Sequence, residues 1–250
     1  TFCTDAFLKF GFTPAEADII VDVLLTSYPY GIESHGMQRL VRYHKGIEKG
    51  LIKVDAKPEI VFHLAAQPIV RDSYKDPRYT YDTNVMGTVN ILECVRNSDC
   101  VKSFLNVTTD KVYENKERAE GYREDENLDG YDPYSNSKSC SELVTHSYKK
   151  SFFADNSVAI STARAGNVIG GGDFANDRII PDCVRAAISK NDIIVRNPFS
   201  TRPYQHVLEP ISAYLMIAAR QYDDISLSGW YNVGPDDCDC FETGRLVDLF

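Results

Sequence analysis

Long apolar runs are missing from this 250-residue sequence, and no stretch approaches the roughly 20 residues that a membrane-spanning helix needs. The first residues also lack the charged start and continuous apolar core of a signal peptide. Basic blocks are missing as well, because 27 Lys and Arg stand against 36 Asp and Glu, giving a net charge of −9. This balance argues against nonspecific binding to nucleic acid or anionic membranes. The sequence therefore predicts a cytoplasmic protein with no nucleic-acid partner and no membrane partner.

Paired cysteine motifs are also absent. The seven cysteines include no C-x-x-C pair, and their odd number favours reduced thiols over a disulfide framework. Cys238 and Cys240 are separated by a single residue and have no second ligand pair, so we predict a loop there and no metal site. The composition, with 43% hydrophobic and 25% charged residues, is that of an ordinary globular protein.

Two polar motifs carry the clearest chemical signal. The apolar run Phe104 to Val107 has the pattern of a buried parallel strand, and it delivers Thr109 to the strand's carboxyl end. Tyr134 and Lys138 are four residues apart, so a helix would place them on one face. An ammonium beside a phenol lowers the phenol's pKa, which would make Tyr134 a base for a secondary alcohol held by Thr109. The motifs predict a redox site for sugars, with an exposed Tyr and Lys on an ordinary helix as the alternative.

Strand-like and helical segments alternate after residue 58, which predicts a parallel sheet. The predicted strands are Ile60 to Leu64, Phe104 to Val107, Val158 to Ala163 and Trp230 to Val233; the predicted helices are Asp76 to Arg96, Pro133 to Phe152 and Ile211 to Tyr222. Earlier in the chain, the capping-box spacing of Thr13 and Glu16 predicts a helix from Pro14 to Tyr28. A second helix is predicted from Met37 to Lys49, ended by Gly50.

Further motifs follow one another in an order that resembles a known family. They are His63 to Gln67, Asn84 to Thr88, Arg164 to Gly170, Ser200 to Pro210 and Asn232 to Asp237. With Tyr134 and Lys138, they make residues 57–250 similar to the extended short-chain dehydrogenases/reductases, and specifically to their CDP-glucose 4,6-dehydratase branch. Asp110 and Lys111 favour a dehydratase over an epimerase, because loss of water needs an acid and a base in addition to hydride transfer.

The resemblance implies NAD as the cofactor and a nucleotide sugar as the substrate. The implied reaction is the dehydration of CDP-glucose to CDP-4-keto-6-deoxyglucose, and the implied assembly is a homodimer paired through the helices that bear Asn84 and Tyr134. Its implied site residues are Thr109, Asp110, Lys111, Tyr134 and Lys138 for catalysis; Ala65, Ala66, Gln67, Asn84, Thr108, Tyr134 and Lys138 for the cofactor; and Asn167, Arg202 and His206 for the substrate. Two alternatives remain: another nucleotide-sugar dehydratase or epimerase, or a non-catalytic remnant that binds sugar nucleotides.

The glycine-rich turn that cradles pyrophosphate in such folds is absent, because no glycines before residue 60 have the G-x-x-G-x-x-G spacing. Residues 1–60 instead resemble the start of type 2 malate/L-lactate dehydrogenases, through the segment from Tyr30 to Leu40. In that family Ser34, His35 and Arg39 would be contacts for the cofactor and substrate, whereas here His35 could simply cap or pack a helical hairpin. We hypothesise that the chain joins the start of one dehydrogenase to the middle of another, and we expect impaired NAD binding and activity.

The predicted fold class is α/β, with an incomplete Rossmann-like parallel sheet and a small substrate lobe, preceded by an N-terminal helical segment. The predicted domains are residues 1–57, the helical segment; residues 58–165, a partial NAD-binding domain that holds the catalytic motifs; and residues 166–250, the substrate lobe with returning sheet elements. The chain is also expected to stop short of a C-terminal tail, inside a helix that begins near Phe241.

Overall fold

The computed structural model describes residues 2–26, 39–118, 120–155 and 157–250, which divide into two compact units, 1–57 and 58–250. The first unit contains α1 (Phe2–Lys9), α2 (Pro14–Thr26) and α3 (Leu40–Glu48) around a core of Phe7, Ala17, Val21 and Leu24. The predicted capping box is present, because the Thr13 N–H donates to the Glu16 carboxylate at 2.8 Å and the Glu16 N–H donates to the Thr13 hydroxyl at 3.4 Å. The predicted ends at Tyr28 and Met37 lie outside the described residues, as do Ser34 and His35.

The second unit is built on a parallel sheet of four strands in the order β1-β2-β3-β6. These strands are β1 (Ile60–His63), β2 (Ser103–Thr109), β3 (Ala159–Ala165) and β6 (Trp230–Val233). Each predicted strand is found within two residues of its expected ends. The predicted α/β class with a parallel sheet is therefore confirmed.

Helices cover both faces of this sheet, which explains why its central strands β2 and β3 are buried along almost their whole length rather than on alternate residues. The unit contains α4 (Val70–Lys75), α5 (Pro77–Tyr81), α6 (Gly87–Arg96), α7 (Pro133–Phe152), α8 (Ile179–Ser189), α9 (Leu208–Asp223) and α10 (Thr243–Asp248). On one face Phe104 and Ile160 pack with Leu92 of α6, while on the other Leu105 packs with Tyr214 of α9.

The predicted continuous helix from Asp76 to Arg96 is wrong in its middle. Asp76 caps α5 as predicted, by accepting a hydrogen bond from the Tyr79 N–H at 2.9 Å. A π-helical turn, Asp82–Met86, then separates α5 from α6. The turn holds Asn84 almost fully buried, where its amide bonds to Gln67 and to Ser137 of α7. Such insertions are frequent near functional sites, and an apolar pattern of period 3.6 does not reveal them.

A smaller sheet in the order β4-β5-β7 lies in the part of the unit predicted as the substrate lobe. It contains β4 (Asn167–Ile169), β5 (Thr201–His206) and β7 (Cys240–Glu242). Residue 241 is thus in a strand, and the helix predicted to begin near it begins at Thr243. Within the described residues, no helix is long and apolar enough to span a membrane.

Candidate active site

The carboxyl ends of β2 and β3 open into a cavity of about 740 Å³. Thr109 ends β2, and a short 3₁₀ turn, Asp110–Val112, follows it directly. Tyr134 reaches the same cavity from the first turn of α7, which begins with Pro133 and is capped by Asp132. The fold therefore brings four predicted catalytic residues together. The residues that line this cavity include Thr109, Asp110, Lys111 and Tyr134.

Tyr134 is buried, and burial raises the pKa of its phenol to about 12, against the opposing effect of a hydrogen bond with Thr109. The predicted lowering of this pKa by Lys138 is therefore wrong, because the pKa is raised. Two observations give the reason. The phenol is more strongly affected by desolvation than by neighbouring charge, and the Lys138 ammonium donates to the Val107 carbonyl at 3.1 Å. Burial also lowers the pKa of Lys138 to about 8, although the Glu142 carboxylate opposes this.

Asp110 and Lys111 are adjacent in sequence, and the pKa values of both move toward the neutral forms. Burial raises the pKa of Asp110, against the opposing effects of Lys111, Thr109 and Arg202. Burial lowers the pKa of Lys111, and the positive charge of Arg202 adds to this lowering. A carboxyl group that keeps its proton more easily suits a general acid, and an amine that loses its proton more easily suits a general base.

The residues predicted to contact the cofactor fall into two groups. Ala65 and Ala66 follow β1 and are exposed and half-buried, respectively. The other three residues, Gln67, Asn84 and Thr108, are buried and bond to other parts of the protein. The Gln67 side chain donates to Thr80 and to the Ile69 carbonyl. The Asn84 amide donates to the Gln67 carbonyl and to Ser137, and the Thr108 hydroxyl donates to Glu142. In this structure the side chains of these three residues therefore hold the loop after β1 and the helix α7 in place.

Two of the three predicted substrate residues line the cavity. Asn167 begins β4 and Arg202 lies in β5, beside it in the smaller sheet. His206, at the end of β5, is exposed and is not part of the cavity wall. Its Nδ1 instead accepts a hydrogen bond of 3.4 Å from the Leu208 N–H at the start of α9.

Charged residues that the sequence did not single out surround the rest of the cavity. They are Arg71, Asp173, Asp177, Arg178, Asp182, Arg185 and Arg196. Arg71 and Arg196 each contact the Asp177 carboxylate at 3.0 Å, and Arg178 contacts Asp173 at 3.0 Å. Arg71 and Asp177 come from segments far apart in the chain, so no local pattern indicates their pairing.

A fully buried ion pair lies beneath the site. Glu142, one turn after Lys138 on α7, accepts hydrogen bonds from Thr162 at 2.7 Å and Arg164 at 2.9 Å, and also from Thr108. Burial alone would raise the pKa of Glu142, but the His146 ring, whose Nε2 lies 3.3 Å from the carboxylate, and the hydrogen bond from Arg164 hold it at about 2. The sequence did carry a signal for Glu142, because its spacing from Lys138 puts both on one face of the helix.

Comparison with known proteins matches the two ends of the chain to two different families, and the two matches overlap at residues 48–70. Residues 48–233 match the family described as GDP-mannose 4,6 dehydratase, and residues 1–70 match malate/L-lactate dehydrogenase. CDP-glucose 4,6-dehydratase of Salmonella typhimurium strain LT2 is 51% identical over 198 residues, covering 77% of this chain and 55% of that protein. The dTDP-D-glucose 4,6-dehydratase of Dictyostelium discoideum is 28% identical over 201 residues, covering 76% of this chain and 43% of that protein.

Solved structures of enzymes that act on nucleotide sugars have a fold similar to that of this chain. UDP-glucuronic acid 4-epimerase from Bacillus cereus, in complex with UDP-glucuronic acid and NAD, has a TM-score of 0.62 and 25% sequence identity. The match covers 71% of this chain and 54% of that one. The chain thus spans about half the length of the curated relatives that it matches. With a match over residues 48–233, the chain belongs to the GDP-mannose 4,6 dehydratase family.

Proposed function

We propose that this protein is an NAD-dependent lyase that dehydrates CDP-glucose to CDP-4-keto-6-deoxyglucose. The observation that carries the proposal is the cavity at the end of β2, in which Tyr134, Asp110 and Lys111 meet. The opposite pKa shifts of Asp110 and Lys111 support an acid and a base side by side. The 51% identity to a CDP-glucose 4,6-dehydratase supports the choice of substrate.

In the proposed reaction, side chains of this protein perform the proton transfers and the cofactor would perform the hydride transfer. Tyr134 accepts the proton of the C4 hydroxyl, which Thr109 holds by a hydrogen bond. Bound NAD would accept the hydride from C4 and return it to C6, and its cationic ring would favour the phenolate of Tyr134. Lys111, or a water that it orders, removes the proton at C5, which the 4-keto group has made acidic, and returns a proton to C5 when the hydride is added at C6. Asp110 gives its proton to the C6 hydroxyl, so that water leaves.

Lys138 is the residue that best fits a bound cofactor. Its ammonium is almost fully buried, and the one hydrogen bond that it makes to the described residues goes to the Val107 carbonyl. An ammonium has three N–H donors, so donors remain for the hydroxyls of a ribose. Ala65 and Ala66, on the loop after β1, are the proposed backbone contacts. Gln67, Asn84 and Thr108 would support these contacts from behind.

Asn167 and Arg202 are the proposed contacts of the substrate diphosphate. A guanidinium can make two parallel hydrogen bonds to phosphate oxygens, which suits Arg202 to this task. His206 stays a predicted substrate contact, although its exposed position at the end of β5 gives that role no support.

Two further properties are part of the proposal. Met86, Leu143 and Phe152 expose about half of their surface on the π turn and α7, which supports a homodimer paired through these helices. All seven cysteines are free thiols, which supports a reducing compartment such as the cytoplasm.

A non-catalytic protein that binds sugar nucleotides is the second candidate, because residues 1–60 contain no glycine-rich turn for the cofactor pyrophosphate. Incubation with CDP-glucose and NAD distinguishes the candidates by mass spectrometry and NMR of the sugar, in a protein that carries residues 58–250 behind a dehydratase N-terminal half with the glycine-rich turn. A dehydratase yields a 4-keto product lighter by one water, and an epimerase yields an isomer of unchanged mass. Recovery of unchanged CDP-glucose, together with a calorimetric binding signal for it, would contradict the lyase and favour the binding protein.

A further inference from the structure

The N-terminus of α7, which carries Tyr134, is capped partly by a residue of another helix. At the start of α7, the Asp132 carboxylate accepts the N–H of Ser135 at 3.0 Å, which leaves the N–H of Tyr134 to another partner. That partner is the hydroxyl of Ser73 on α4, at 3.1 Å. Ser73 is fully buried, and its hydroxyl donates in turn to the Val70 carbonyl at 2.6 Å. The backbone position of Tyr134 therefore depends on where α4 lies.

The same short helix reaches the substrate lobe. Arg71 lies two residues before Ser73, and its guanidinium contacts the Asp177 carboxylate at 3.0 Å. Asp177 belongs to the segment between β4 and α8, and Arg196 contacts the same carboxylate oxygen at 3.0 Å. The backbone of Asp177 has a φ of 63°, in the left-handed region. Arg71, Asp177 and Tyr134 all line the same cavity.

We propose that Arg71 and Ser73 are positioning residues that couple the lobe segment bearing Asp177 to the backbone of Tyr134. The inference rests on the proposed function only in that Tyr134 is the base whose position matters. The ion pair with Asp177 fixes Arg71, and with it the helix α4. Because Ser73 is on the same helix, its hydroxyl then fixes the Tyr134 N–H through their hydrogen bond. A substrate that draws the lobe toward the sheet would thereby place the phenol for the C4 hydroxyl.

Hydrogen exchange at the Tyr134 N–H tests the coupling in the full ligand-free chain, so the result does not depend on CDP-glucose or NAD. Isotope-labelled tyrosine makes the N–H groups of the 15 tyrosines visible by NMR, and Tyr134→Phe identifies the signal of interest. Ser73→Ala should speed this exchange about fivefold, as expected for a lost helix cap. Arg71→Met and Asp177→Asn should each speed it about twofold, because partly exposed ion pairs contribute little. Asn suits position 177 because it tolerates the left-handed conformation.

Three comparisons separate coupling from general loosening. The double variant Arg71→Met/Asp177→Asn should be no faster than either single one, and Arg71→Lys should restore the wild-type rate. Added salt should speed exchange in the wild type and leave Asp177→Asn unchanged, since it screens the pair. Lys75→Met is the matched control, because its exposed partner Asp72 lies on the same helix α4 and the pair does not reach the lobe.

Wild-type exchange at Tyr134 in both Arg71→Met and Asp177→Asn would overturn the coupling, even if Ser73→Ala accelerates it. So would multiplying effects in the double variant, or unchanged exchange in Ser73→Ala. An equal acceleration at Tyr231, in the edge strand β6, would also overturn it, since that result means global destabilisation. A failed CDP-glucose assay with the expected exchange pattern would count against the proposed function and leave the coupling supported.

Discussion

Replacing Glu142 by Gln should destabilise the second unit while keeping the shape of the side chain. Glu142 has no exposed surface, and its carboxylate accepts hydrogen bonds from β2 and β3 through Thr108, Thr162 and Arg164. An amide cannot neutralise the Arg164 guanidinium, which is itself fully buried in the wild-type protein. Removal of one partner of a buried ion pair typically costs about 3–5 kcal/mol, because the other charge is left uncompensated.

The pKa of Glu142 gives a second measure of the same effect. A fall from the ordinary value of 4.5 to about 2 corresponds to about 3–4 kcal/mol, at roughly 1.4 kcal/mol for each tenfold change. Because the pKa is lower in the folded protein, this stability is fully present above about pH 4.5 and is lost as the pH falls through about 2. The difference between wild type and Glu142→Gln should therefore be largest near neutral pH and shrink in acid.

Urea unfolding followed by tryptophan fluorescence reports on the second structural unit, residues 58–250, which contains Glu142. Trp230 is the single tryptophan of the chain, and its ring stacks on His146 of α7 at 3.6 Å. A loss of about 3 kcal/mol should lower the urea midpoint by about 1–2 M. Glu93→Gln is the matched control, since Glu93 is a partly exposed partner of Arg96 on α6 and its loss should leave the midpoint unchanged. A Glu142→Gln midpoint equal to that of the control would refute the reasoning.

Three substitutions in the cavity test separate roles, each in a protein that carries residues 58–250 behind a dehydratase N-terminal half with the glycine-rich turn. Tyr134→Phe keeps the ring and should abolish formation of the 4-keto sugar with an unchanged urea midpoint; undiminished turnover would remove Tyr134 from the mechanism. Asp110→Asn cannot donate the acid proton, so mixing with CDP-glucose and NAD should still produce transient NADH absorbance while dehydrated product lags. Dehydration at the normal rate in that variant would exclude Asp110 as the acid. Arg202→Ala should weaken calorimetric binding of CDP-glucose by about 1.5–3 kcal/mol and NAD far less; equal losses for both ligands would indicate misfolding.

The sheet and the residues at its carboxyl edge could be predicted from the sequence because their signals are local. Buried parallel strands are continuous apolar runs, so β2 and its terminal Thr109 follow from the run Phe104 to Val107 alone. The helix α7 begins at the predicted Pro133 because Asp132 gives it a cap and Pro133 suits its first turn, and it ends at the predicted Phe152.

The electrostatics of the site could not be predicted in the same way. The spacing of Tyr134 and Lys138 placed them on one helix face, yet it could not reveal that burial outweighs the ammonium in setting the phenol's pKa. Desolvation depends on every element packed around a group, and this requires the tertiary structure. The ion pair of Arg71 and Asp177 was missed for a related reason, since it joins segments distant in the chain.

The most direct test of the account is to follow deuterium from C4 of labelled CDP-glucose in a protein that carries residues 58–250 behind a dehydratase N-terminal half with the glycine-rich turn. The unmodified 250-residue chain is assayed beside it, and Asp110→Asn in the same protein is the control. The fused protein is expected to yield a 4-keto-6-deoxy sugar with the deuterium at C6, and the unmodified chain is expected to yield little. A fused protein that folds and binds NAD, yet returns an epimer or unchanged CDP-glucose, would contradict the assignment of dehydratase chemistry to Tyr134, Asp110 and Lys111.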